Sequence, residues 1–571
     1  MNRFKLFFLA AAAFITVSCN FERGEADYGV VPLPQSINLL DGEDFVLNSG
    51  TRIVYDANNP LIERNAAFLS EYIGQITGLN LKCIPANGSN LDNNIVISID
   101  NEAQMPTDES YTLKVDQSGI SIVAKAPKGV FYGIQTLRKS LPIGKFGSVE
   151  LDPVEINDTP LFGYRGMHLD VSRHFFDKEF VKRYIDIIAL HNINTFHWHL
   201  TDDQGWRVEI KKYPKLTEIG SMRSHTVVGK DFESSDETPH GGFYTQDDIK
   251  EVVAYAAERY ITIIPEIDLP GHMLAALAAY PELGCTGEQY EVWPRWGITE
   301  KVLCPGKDHT VQFLKDVMDE IMELFPSEYI HIGGDECPKD HWKVCPDCQA
   351  RIKAEKLFAK DGHTAEQRLQ SWLTSEIETY INDHGRRIIG WDEILEGGLA
   401  PNATVMSWRG ISGGVTAANM GHDVIMVPYS NFYFDYYQSE DRDNEPLAIG
   451  GFIPVDKVYS FNPFPEEVDS LFHSHILGVQ ANVWCEYIKT TDHVEYMALP
   501  RMAALSEVQW RPAADRNYEE FLGRMKHHLA LYDLLGYNYA KHIVADIQSD
   551  EKEDSNIEVI VQRGTQTVVQ F

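Results

Sequence analysis

From about residue 160 the chain repeats one unit, and this repetition limits its fold more than any other feature. A short apolar run is followed, in most cases, by a segment of helical periodicity. The runs are MHLDVSR (167–173), TFHWHLTDD (195–203), ITIIPEID (261–268), YIHIGGDE (329–336), RIIGWDEI (387–394), TVMSWRG (404–410), DVIMVPYS (423–430) and ILGVQANVWCE (476–486). Between the first two, Phe176, Phe180, Tyr184 and Ile188 recur every four residues, as on one face of a helix. Thr245 reads as the N-cap of a helix over 245–260, and Gly385 as the close of one over 363–384. Continuous apolar runs suit strands covered on both faces. Eight such units over about 380 residues predict a (β/α)8 TIM barrel with long loop insertions. An open doubly wound sheet is the alternative, but it calls for a glycine-rich phosphate turn after its first strand, which this sequence lacks.

Upstream the pattern differs. IVISI (95–99) reads as a buried strand, YTLKV and ISIVA around DQSG as a hairpin, and GVFYGIQTLRKSL (129–141) as an amphipathic helix. The α/β chain therefore divides into a small α/β domain at 31–155 and a barrel at 156–544. Residues 19–30 are polar and read as a tether, and 545–571 as a β tail.

The sequence opens MNRFKLFFLAAAAFITVSCN. Arg3 and Lys5 precede an apolar run too short to span a membrane, and Ser18 stands before Cys19. This resembles a bacterial lipoprotein signal, 1–18, whose removal leaves Cys19 as the lipidated first residue; an ordinary secretion signal is the alternative. The expectation is an exported protein that meets the membrane only through a lipid anchor, on the periplasmic face or outer surface of the envelope. A net charge of -34 repels phosphate backbones and argues against nucleic acid as a partner. Seven cysteines remain after Cys19, an odd number that leaves at least one without a partner in the chain. Cys345-Pro-Asp-Cys348 with Cys337 nearby offers three sulfurs without a fourth spaced ligand, so stapled loops or free thiols are preferred to zinc.

Polar and aromatic residues gather at the C-terminal ends of the predicted strands: Arg173, Asp202, Asp203, Asp268, Asp335, Glu336, Trp391, Trp408, Tyr429, Trp484 and Glu486. That end of a barrel carries the active site. Three tryptophans beside several carboxylates suit a sugar, because pyranose rings stack on aromatic faces. Asp335 and Glu336 are adjacent, so strand alternation would send them in different directions. They are poorly placed to act as the acid and nucleophile of an ordinary retaining glycosidase, which face each other across ~5 Å. They suit an enzyme whose substrate supplies its own 2-acetamido group as nucleophile, leaving one acid and one carboxylate to orient the acetamido group. His197 and His199 share a strand face and could, with Asp268 and His272, suggest a metal-dependent hydrolase; hydrogen bonding inside the barrel is the preferred reading. Arg173 can bind vicinal hydroxyls or pair with a neighbouring acid.

The segments RGMHLDVSRHF, HWHLTDDQGWR, PEIDLPGH, HIGGDE, GWDEI, SWRG and VWCE together resemble the β-N-acetylhexosaminidases of glycoside hydrolase family 20, in order and over roughly residues 30–540. The resemblance implies a retaining exo-enzyme acting on β-N-acetylhexosaminide glycans through an oxazolinium intermediate. By it, Glu336 is the general acid/base and Asp335 the partner of the acetamido N–H. Tyr433, in NFYFDYY, binds the acetamido oxygen, while Trp391, Trp408 and Trp484 wall the pocket. Arg173 and Glu486 hold outer hydroxyls, Asp203 and His272 are close contacts, and Asp435 is a hydroxyl ligand. No metal or organic cofactor is implied. A sugar-binding protein on a degenerate barrel is the non-enzymatic alternative, and it would be expected to lose the acid first; Asp335, Glu336 and Tyr433 are all present.

Overall fold

The computed structural model describes residues 23–86, 92–545 and 547. The signal segment with Cys19 lies outside them, as does the tail 545–571 apart from Ala545 and Ile547, which are helical. Among the described residues no helix is long and apolar enough to cross a membrane.

Eight parallel strands close into a barrel: β1 (Tyr164–Asp170), β2 (Thr195–His199), β3 (Thr262–Glu266), β4 (Tyr329–His331), β5 (Arg387–Trp391), β6 (Thr404–Ser407), β7 (Val424–Met426) and β8 (Ile476–Ala481). Closure is made by β8 on β1, with Tyr164 opposite Gly478 and Met167 opposite Ala481. The strands are buried on both faces, which is why they read as continuous apolar runs rather than alternating ones. Between β1 and β2 runs the helix Lys178–Leu190, started by the Asp177 side chain accepting from Phe180 N. Thr245 caps Gln246–Glu258, and Asp248 returns the bond to complete a capping box. Past the helix Ala365–Asp383, Gly385 takes the left-handed conformation that ends the coil.

Most strands are shorter than their apolar runs. β4 stops at His331, five residues before Glu336. The polar residues therefore sit on the turns that follow the strands, and strand alternation does not set their directions.

The N-terminal domain is a seven-stranded mixed sheet. In spatial order its strands are Ser36–Leu39, Val154–Asp158, Tyr111–Asp116, Gly119–Ala124, Asn94–Ile99, Arg52–Tyr55 and Lys82–Pro85. The expected hairpin pairs Tyr111–Asp116 antiparallel with Gly119–Ala124. The helix Pro127–Ser140 is buried from Gly129 to Ser140 because it packs on its own sheet and against the barrel. There Lys139 Nζ donates to the carbonyl of Leu190 and to Asn192 Oδ1. A buried ion pair also crosses between the domains: Arg165 of β1 meets Glu109 at 2.6 Å and Tyr132 Oη at 2.8 Å.

The reading of 19–30 as a tether is corrected from Arg23 onward. Arg23–Glu25 is a strand paired in parallel with Ser148–Glu150, and Tyr28 and Val30 are buried. The pairing is made by backbone groups, so a polar composition does not reveal it.

Candidate active site

The turn after β4 decides the site. Gly333 and Gly334 both have positive φ, and Glu336 does too, at 44°. A side chain at Gly333 would put its Cβ 1.7 Å from Asp268 Oδ1, so the backbone passes against that carboxylate as only glycine can. Gly334 N in turn donates to Asp268 Oδ1 at 3.2 Å. The strained turn presents the two carboxylates differently. Asp335 is pulled inward, with Oδ1 buried and no hydrogen-bond partner among the described residues, while Glu336 stays about one third exposed. Burial raises the Asp335 carboxyl, and the positive charge of His272 works against that rise.

His272 lies behind both acids. Its Nε2 is 3.6 Å from Asp335 Oδ2 and 3.7 Å from Glu336 Oε2, and its Nδ1 faces Asp202 at 3.1 Å and Asp203 at 3.3 Å. Burial pushes this imidazole down, but Asp202, Asp203 and Glu336 outweigh it and hold it well above the usual histidine range. It is set between two pairs of carboxylates, which favour its charged form. Asp203 also accepts from Leu274 N at 2.9 Å, which anchors the segment following His272.

Arg173 spends Nη1 on Asp170, Nη2 on Asp202 and Nε on Gln204, at 3.1, 2.9 and 3.0 Å. Two of its five N–H groups remain for a ligand. Its guanidinium lies 5.2 Å from the Trp484 ring. Glu486 is the next influence on Arg173 after burial and Asp202, and its own carboxyl is raised by burial. Asp435 is buried beside them, with Oδ1 unpartnered among the described residues; burial first, then the charge of Glu486, holds it well above the ordinary range.

The aromatic residues join in one run. Trp391 and Trp484 have centroids 5.8 Å apart, Trp484 and Tyr433 6.3 Å, and Tyr433 stacks on Trp408 at 6.0 Å and 10°. Trp391 is the deepest, 1% exposed, and donates Nε1 to Glu266 Oε1 at 2.9 Å. Trp408 and Trp484 are half-buried. Tyr433 is placed by a backbone bridge to Asn482, just past β8.

Beneath this wall the barrel interior is polar. Glu266 receives His199 Nδ1 at 2.5 Å and lies 3.0 Å from both His197 Nε2 and His331 Nδ1. The other ring nitrogen of His199 meets Asp202 at 2.9 Å. Burial pushes His199 down, but Glu266 and Asp202 overcome it and lift it to about 10. His197, by contrast, is lowered by burial and His331 to about 4. With both nitrogens of His199 bonded to carboxylates and its charge favoured, the His197–His199 pair is a hydrogen-bonded floor rather than a pair of free ligands.

Apart from Cys19, which lies outside the described residues, the residues picked from sequence thus stand at one end of the barrel. Glu393 escaped sequence reasoning. Its Oε2 accepts Trp408 Nε1 at 2.9 Å, and burial, then the charge of Asp335, pushes it up to about 8. The signal was present in GWDEI, a second adjacent acid pair at a strand end, of which only the tryptophan drew notice. Its neighbour Asp392 accepts from Trp408 N and Arg409 N and so fixes the tryptophan's backbone. A separate cavity of about 1070 Å³ opens at the opposite, N-terminal end, near Tyr164, Thr262 and Tyr329, away from these groups.

A model of the glycosyl hydrolase family 20 catalytic domain matches residues 162–513, and one of that family's domain 2 matches residues 27–159. The Porphyromonas gingivalis beta-hexosaminidase is 45% identical over 523 residues, covering 90% of this chain and 65% of that protein. This chain therefore spans a little under two thirds of that relative's length. The Vibrio furnissii beta-hexosaminidase is 37% identical, covering 84% and 76%. Among solved structures, the Vibrio harveyi GH20 exo-β-N-acetylglucosaminidase in complex with N-acetylglucosamine superposes with a TM-score of 0.77 at 31% identity, covering 91% of this chain and 79% of that one.

Proposed function

The chain belongs to glycoside hydrolase family 20, and on that premise we propose that it is a retaining exo-β-N-acetylhexosaminidase that removes terminal β-linked GlcNAc or GalNAc from oligosaccharides or glycoconjugates. The observation that carries this reading is the turn after β4, which buries Asp335 within electrostatic reach of Tyr433 and leaves Glu336 about one third exposed. Glu336 donates a proton to the glycosidic oxygen as the acetamido oxygen of the same sugar attacks C1. Asp335 accepts from the acetamido N–H and balances the charge that forms on the oxazolinium ring. Tyr433 donates to the acetamido oxygen, and Trp391, Trp408 and Trp484 exclude water around the acetyl group. Glu336, now a carboxylate, takes a proton from the water that opens the ring, so the β-configuration is kept. Arg173, Glu486 and Asp435 bind outer hydroxyls, and the imidazolium of His272 steadies both acids.

The test compares aryl β-GlcNAc, β-GalNAc and β-glucose. The acetamido sugars are expected to turn over and the glucoside, which lacks the internal nucleophile, to give no detectable product. Equal turnover of the glucoside would remove the acetamido group from the mechanism.

We also propose that Cys19 carries a lipid that holds the enzyme to the cell envelope, on the strength of the basic start, apolar run and Ser18-Cys19 pair. Activity should sediment with membranes for the native protein and move to the soluble exported fraction for Cys19→Ser; an unchanged distribution would reject the anchor.

A further inference from the structure

Four cysteines that the active site does not use converge from two loops. Cys285 and Cys304 lie on the long connection between β3 and the helix Asp308–Leu324. Cys345 and Cys348 form a C-x2-C knuckle at the start of the helix Pro346–Ala354, on the connection after β4. The sulfurs of Cys304 and Cys348 are 3.5 Å apart, those of Cys304 and Cys345 3.7 Å, and those of Cys285 and Cys348 3.8 Å; all four lie within 4.8 Å of one another. These separations discriminate between chemistries. A disulfide brings two sulfurs to ~2.05 Å. A tetrahedron of sulfurs at ~2.3 Å from a central zinc has edges of ~3.8 Å. Three thiols are buried and Cys285 is half-buried, so the cluster is closed to all but one side.

The surrounding backbone is built to bring the sulfurs together. A Cβ on Gly306 would fall 2.2 Å from the carbonyl carbon of Asp347 and 2.3 Å from Cys348 N, so the Cys304-Pro-Gly turn rides directly on the knuckle. Cys304 N donates to Leu283 O, and Lys307 Nζ donates to Gly284 O at 2.6 Å, which holds the Cys285 loop in place. Trp342 Nε1 donates to Leu303 O at 2.9 Å, and a small apolar cluster of Val302, Trp342, Ile352 and Leu369 covers the cysteines. Cys337, which sequence spacing grouped with Cys345 and Cys348, packs in this cluster but is not one of the four converging sulfurs.

We propose that Cys285, Cys304, Cys345 and Cys348 bind one zinc ion as a structural site that clamps the connection after β3 to the connection after β4. Each thiol gives up its proton on binding, so the closed site holds four thiolates around the ion. The clamp sits one step from the chemistry. Leu303 N, beside Cys304, donates to Pro270 O, two residues before His272, and the clamped connection after β4 carries Asp335 and Glu336. Its place in the enzyme is therefore to hold the His272 loop and the Asp335–Glu336 turn in register. The spacing of the knuckle alone could not show this, because its third and fourth ligands come from 41 and 60 residues upstream of Cys345, 345 − 304 and 345 − 285.

The experiment is elemental analysis of the full-length protein after desalting, with zinc release followed colorimetrically as a mercurial titrates the thiols. About one zinc per chain is expected, released as four thiols react. Cys337→Ser should keep the metal, and Cys345→Ser/Cys348→Ser should lose it and melt at a lower temperature. If the double variant does not fold, the native protein still decides the matter. A zinc-free protein whose thiols all titrate at once would overturn the proposal. So would a zinc-free protein about 4 Da lighter than its reduced form, the mark of two disulfides.

Discussion

Replacing Glu336 by Gln is expected to lower kcat/KM on a GlcNAc-terminated disaccharide by roughly 10²- to 10⁴-fold, the span of a lost general acid–base. The substitution is nearly isosteric, and the side chain it alters is partly exposed at the site's mouth, so the fold should not change. The size of the loss should follow the leaving group. A nitrophenol departs with little need for a proton, whereas a sugar hydroxyl needs one. The variant should therefore retain more of its rate on the nitrophenyl glycoside than on the disaccharide. Parallel losses on both substrates, or a change confined to KM, would remove Glu336 from the proton transfer.

Asp335→Asn is expected to lower kcat by about 10²- to 10³-fold, as loss of one preorganised partner of transition-state charge does. Unlike Glu336→Gln, it should act regardless of leaving group, because its target is the acetamido nucleophile and the charge on the oxazolinium ring. Its stability signature should also differ. Burial already disfavours the Asp335 carboxylate, whose acid strength is weakened in the folded state. A carboxyl raised on folding costs nothing below its unfolded value and costs stability increasingly as pH climbs through its folded value. Removing that charge should leave the melting temperature at neutral pH unchanged or higher. A variant that loses both activity and several degrees of stability would mean that Asp335 is structural.

The eight strand runs were readable because a strand buried on both faces writes itself as an unbroken apolar stretch. The catalytic pair was readable because HIGGDE sets glycines and acids at the end of such a run. What the pattern could not give was direction. The positive φ at Gly333, Gly334 and Glu336, not strand alternation, turns one carboxylate inward and leaves the other at the mouth. Arg173 was readable as a cation at a strand end, but its three buried partners, Asp170, Asp202 and Gln204, are matters of tertiary contact. Glu393 hid behind a tryptophan beside it, and the edge strand at Arg23–Glu25 hid because main-chain pairing leaves little trace in composition.

The small domain contributes no group to the chemistry, yet Glu109 neutralises an arginine that belongs to the first barrel strand. Arg165 is fully buried, and its other bonds go to uncharged groups: the carbonyls of Phe162 and Asn192 and the hydroxyl of Tyr132. Taking away Glu109 would leave a bare charge inside the protein, a defect of about 3–5 kcal/mol. The N-terminal domain is in effect the end plate of the barrel. A gene fragment that begins at the barrel's first strand would encode a cylinder with an uncompensated cation in its base, so the natural unit of inheritance and of engineering is the pair.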